Sequence, residues 1–75
     1  MTEKSALDIQ IGGNHYQGFA IQPIEFIAKN CLSFLEGSIV KRICRYDHPS
    51  GKGFEDLQKI KHEVDLIIEL DGWEE

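Results

Sequence analysis

The sequence predicts a mainly α fold: a small domain of three helices behind an N-terminal extended arm, assembled as a homo-oligomer. Three observations point there. Helix-start signals stand at Pro23 and at Ser33-Phe34-Leu35-Glu36. Apolar residues recur with helical period in the stretches that follow. Clusters of glycine, proline and polar residues at 12–14 and 47–53 interrupt that period. The chain reads as one domain over 1–75, with an arm at 1–11, a Gly-rich turn and loop at 12–22, and a helical core at 23–72.

In the arm, 1–5 is polar, while Leu7, Ile9 and Ile11 alternate as in a short edge strand or extended segment. Gly12-Gly13-Asn14 marks a turn that fixes where His15 and Tyr16 point. Pro23 opens helix one, whose Ile24, Ile27, Ala28 and Cys31 form an apolar stripe, and Asn30 is its expected stop. Ser33 and Glu36 form a capping box that starts helix two, which runs to about Tyr46. Its interior stripe is Leu35, Ile39, Ile43 and Tyr46, widened by Val40 and Cys44. Gly37, Lys41 and Arg45 recur at spacings of four on a separate polar face. Glycine in a helix interior costs about 1 kcal/mol relative to alanine, so Gly37 implies a close contact with another helix or a ligand. Helix three begins near Phe54, with Glu55 and Asp56 suited to its N-terminal dipole, and ends at Asp71-Gly72. Its Leu57, Ile60, Val64, Leu66, Ile67 and Ile68 exceed what two short helices can cover, which points to a subunit interface.

Size supports the same inference, because a chain this short buries only about 60% of its unfolded surface. Cys31 and Cys44 fit no metal spacing and fall at apolar helix positions, as reduced core thiols do. The net charge of −5 excludes a general binder of nucleic-acid polymers. Lys41, Arg42 and Arg45 nevertheless cluster, and a local cationic pocket on an acidic protein suits a small anion. No apolar run reaches membrane-spanning length and the N-terminus lacks a signal-peptide core, so no membrane partner and a cytoplasmic location are expected.

Two candidate sites emerge, each with a plain alternative. Lys41 and Arg45, with Gly37, Ser38, Arg42 and Lys52 nearby, either grip a phosphate or act as solvated cations and partners of acids on helix three. Asn14, His15 and Tyr16 either contact a phosphate or base beside a backbone nest, or belong to an ordinary turn. The glycines fit neither the dinucleotide fingerprint nor the Walker A pattern. His15, His48 and His62 share no ligand spacing, so no metal site and no resident cofactor are expected. Asp56, Glu63 and Asp65 are either solvated helix charges or magnesium ligands that act with a phosphate. No residue pattern marks a catalytic nucleophile. Trp73 reads as a packing or interface anchor.

Gly13-Asn14-His15-Tyr16, Ile21-Gln22-Pro23-Ile24-Glu25, Leu32 through Arg45, and Asp56-Leu57 with Lys59 and His62 occur in this order. Together they resemble a family of small phage proteins whose domain also occurs in the nucleotide kinase of a T-odd coliphage. The matching residues, His15, Tyr16, Gly37, Lys41, Arg45, Asp56 and Lys59, are those suited to a phosphorylated nucleotide. Ser38, Arg42 and Glu63 depart from the family pattern and point to a different ligand. The resemblance implies a phage protein that binds a small phosphorylated or cyclic nucleotide between subunits. Such a protein could sequester a host immune signal in the infected cell. The alternative it implies is a nucleoside monophosphate kinase acting as an oligomer with ATP and magnesium. An all-α pyrophosphatase is disfavoured because its Glu-x-x-Glu and Glu-x-x-Asp motifs are absent. A purely structural or partner-binding role is the remaining reading.

Overall fold

The computed structural model describes Ala6 and residues 15–73. The expected arm over 1–11, Ala6 apart, and the Gly12-Gly13-Asn14 turn lie outside the described residues. Among the described residues three helices make the fold, α1 (Pro23–Lys29), α2 (Phe34–Arg45) and α3 (Phe54–Leu70), so the mainly α expectation holds. The described residues contain no strand.

The local signals act where the sequence places them. Pro23 occupies the first turn of α1, where its missing N–H leaves no partner unsatisfied. In the box that starts α2, the Glu36 N–H donates to Ser33 Oγ at 3.2 Å and the Ser33 N–H donates to Glu36 Oε1 at 2.9 Å. Helices α1 and α3 end alike. After α1, the Cys31 and Leu32 N–H groups donate to the Ala28 and Ile27 carbonyls. After α3, Gly72 and Trp73 donate to Glu69 and Ile68 in the same pattern. The residue that turns left-handed is Gly72 after α3, with φ 73°, and Cys31 after α1, with φ 53°. Cys31 therefore lies beyond α1, exposed, and not in its apolar stripe.

Helix α2 is the middle element: α1 packs on one side of it and α3 on the other. Gly37, buried against Ile27 of α1, and Arg42, paired with α3, are five positions apart. At 3.6 residues per turn that separates the two neighbours by about 140° around α2. The helices thus form an open layer, and this corrects the expected interior. Apart from Pro23, no aliphatic or aromatic side chain among the described residues is buried. Ile24, Ala28 and Ile43, expected to face a core, are exposed, and Cys44 is only half-buried. The fully enclosed side chain is a charged one, Asp56, with Glu63 nearly so.

Candidate functional site

The polar cluster between α2 and α3 is built from four side chains. Arg42 and Arg45 stand three positions apart on α2, while Asp56 and Glu63 stand seven apart on α3, so each pair shares a face. Arg45 donates from Nη2 to Asp56 Oδ1 at 2.8 Å and from Nε to Oδ2 at 3.2 Å, a forked contact. Arg42 donates from Nε to Glu63 Oε1 at 2.7 Å, and its Nη1 lies 3.5 Å from Asp56 Oδ1. The Lys52 N–H donates to Asp56 Oδ2 at 2.9 Å, tying the loop before α3 to the same carboxylate. The Arg45 guanidinium above all, helped by the Lys52 N–H, holds the Asp56 carboxyl down at about 2 against the opposing effect of burial. Arg45 is correspondingly pushed up, chiefly by its hydrogen bond to Asp56.

This geometry corrects two expectations. Asp56 and Glu63 are not solvated helix charges, nor free to hold magnesium: both are buried against arginine. The row of Gly37, Lys41 and Arg45 is not an open one, because Arg45 pairs with α3 and Gly37 packs on α1, although Lys41 and Arg45 still line a common cleft. The close contact that Gly37 implies is helix packing. A Cβ there would sit 2.9 Å from Ile27 Cγ2.

Lys41 remains exposed and makes no ion pair among the described residues. Its Nζ stands 5.9 Å from the centre of the Tyr16 ring, and the Tyr16 hydroxyl donates to the Lys41 carbonyl at 3.0 Å. Partial burial raises the Tyr16 hydroxyl above its ordinary value, so it stays protonated as a donor. Tyr16, Ser38, Lys41, Arg42 and Arg45 line one cleft of about 120 Å³. Across Ser38 and Lys41 it adjoins a second, largely apolar groove of about 390 Å³ that includes Ile24, Ile27, Leu32 and Phe34. Six of the expected ligand residues are thereby brought together, Gly37 among them as part of the adjoining groove.

The others are not. His15 lines a separate cleft with His48, Cys44 and Asp47. Its Nδ1 lies 2.7 Å from Ser50 Oγ, and its ring meets that of Tyr16 edge-on at 4.3 Å. Desolvation first, then Arg45 and His48, lowers its pKa, so the ring is neutral near pH 7. Lys52 contributes its backbone N–H, and its side chain lines none of these clefts. Asn14 lies outside the described residues.

The loop 47–53 holds this arrangement through close backbone approach. A Cβ on Gly51 would lie 1.9 Å from the Arg45 carbonyl oxygen, so only glycine fits there. The Ser50 N–H and Ser50 Oγ both meet His48 Nδ1, at 3.1 and 3.0 Å. Local periodicity misses Ser50, whereas the pairing of helix-two cations with acids on helix three is the plain alternative offered by the sequence, and Arg45 takes it with Asp56 as Arg42 does with Glu63.

Comparison with known families matches residues 11–65 to DUF3310, described as a protein of unknown function. The chain belongs to the DUF3310 family. The matched span runs from the segment before Tyr16 through the loop to α3, so it contains both clefts and the Arg–acid cluster. No curated protein and no solved structure matches the chain.

Proposed function

We propose that this DUF3310 protein binds a small phosphorylated or cyclic nucleotide and sequesters it without turning it over. The observation that carries the reading is the Tyr16–Ser38–Lys41–Arg42–Arg45 cleft running into an apolar groove across Ser38 and Lys41. Phosphate suits the first part. Lys41 supplies a cation without an ion-pair partner among the described residues, and Ser38 supplies a hydroxyl. The two arginines enter with much of their charge already offset by Asp56 and Glu63, so the cleft favours a phosphate of low charge. The apolar groove suits the face of a base.

Both clefts are shallow, and closure by a second copy of the chain would complete the enclosure that a retained ligand needs. On this reading the chain is a phage protein acting in the cytoplasm of the infected host, where the ligand is a nucleotide immune signal. A nucleoside monophosphate kinase is the competing reading from the family resemblance. It demands ATP, magnesium and in-line geometry that the cleft alone does not supply.

The test is catch and release. The protein is incubated with linear and cyclic nucleotides, with and without ATP and magnesium, cleared of free ligand, boiled and chromatographed. A ligand recovered unchanged is expected. A ligand returned with a phosphate gained or lost would overturn sequestration in favour of an enzyme. No retained ligand would overturn nucleotide binding itself.

A further inference from the structure

We propose that α3 pairs with α3 of a second copy, antiparallel about a twofold axis beside Leu66, through the seam Lys61, Val64, Ile68 and Asp71. On α3, Asp56, Glu63 and Ile67 belong to the stripe that meets α2: the acids pair with its arginines, and Ile67 lines a cleft with Leu35 whose rim at the end of α3 is Leu70 and the exposed Asp71. One residue on, and so about 100° round the helix, a second stripe recurs at alternating spacings of four and three. That alternation is the spacing of a helix–helix seam. Val64 and Ile68 in it are 41% and 46% exposed.

The occupant follows from two properties. An open layer of three helices with no buried aliphatic or aromatic core beyond Pro23 among its described residues needs a second layer, and a further copy of the chain is present whenever the chain is made. The seam is also self-complementary, as a twofold interface must be. The twofold that sets Val64 of one copy on Ile68 of the other also sets Lys61 beside Asp71. Both charges are exposed, and among the described residues neither makes an ion pair. Shifting the axis, or turning the pair parallel, loses one match or the other. Trp73, the chain's single tryptophan, is 68% exposed just beyond the seam and reports on its formation.

Sedimentation over a concentration range tests this on the full chain and three variants, with circular dichroism to confirm helix content. The wild type is expected at twice the 8.6 kDa chain mass, with Trp73 emission shifting red on dilution. Val64→Asp and Lys61→Asp are each expected to weaken self-association about tenfold or more, since every substitution acts twice across the axis. Lys61→Asp combined with Asp71→Lys is expected to recover the wild-type dissociation constant to within about threefold. A monomer at all concentrations overturns the pairing. So does a dimer that neither single substitution weakens, or a double variant no tighter than Lys61→Asp alone.

Discussion

The two seams that meet on α2 are fastened by opposite means. Toward α1, Gly37 removes a side chain so that Ile27 can close on the backbone. Toward α3, two guanidiniums close on two buried carboxylates, with Asp56 at the centre. The first seam gains from close approach and tolerates small adjustments, because dispersion is spread over many weak contacts. The second is concentrated in a few strong, directional contacts, and removing either partner strands a buried charge. The α3 seam is therefore held by directional charge pairing and the α1 seam by fit.

Asp56→Ala should break the comparison most severely. It leaves Arg45 and Arg42 without their shared carboxylate and frees the Lys52 N–H, at an expected cost of about 3–5 kcal/mol in chemical denaturation. Acid should act on the same seam. The Asp56 carboxyl is held near 2 in the folded chain, below its ordinary 3.8, so its contribution is present above that ordinary value and is lost as pH falls toward 2. The contribution is about 2 kcal/mol, and stability measured from pH 5 to pH 2 should fall by about that amount more in the wild type than in Asp56→Asn.

On the α1 side the effects are smaller. Gly37→Ala gains helix propensity but drives a methyl group into Ile27 Cγ2, a branch with little freedom to yield, and should cost about 1 kcal/mol net. Cys31→Gly should stabilise by about 1 kcal/mol, because the left-handed turn after α1 then has the residue that α3 already uses at Gly72. Thermal melts of these two variants should therefore move in opposite directions.

The helix ends were legible in the sequence because their causes are local: Pro23, the Ser33–Glu36 box and Gly72 each act within a turn of the chain. The site was legible only in part. Ser38, Lys41 and Arg42 line a cleft with Tyr16 as the helical spacing suggests, but the partners of Arg42 and Arg45 lie 21 and 11 positions away on α3. Periodicity on α2 places Gly37, Lys41 and Arg45 in one row without saying that α1 and α3 take the two ends of it. Cys31 failed for another reason: apolar spacing continued past Asn30, although the backbone had already turned.

On the proposed reading α2 divides its cations, the arginines being committed to Asp56 and Glu63 and Lys41 to a ligand. That division is tested most directly by measuring the melting temperature of Lys41→Ala beside its capture of the nucleotide that the wild type retains. The melting temperature is expected within about 2 °C of wild type, as for an exposed substitution, with capture reduced about tenfold or more. Undiminished capture by Lys41→Ala, or a loss of stability approaching that of Asp56→Ala, would contradict it.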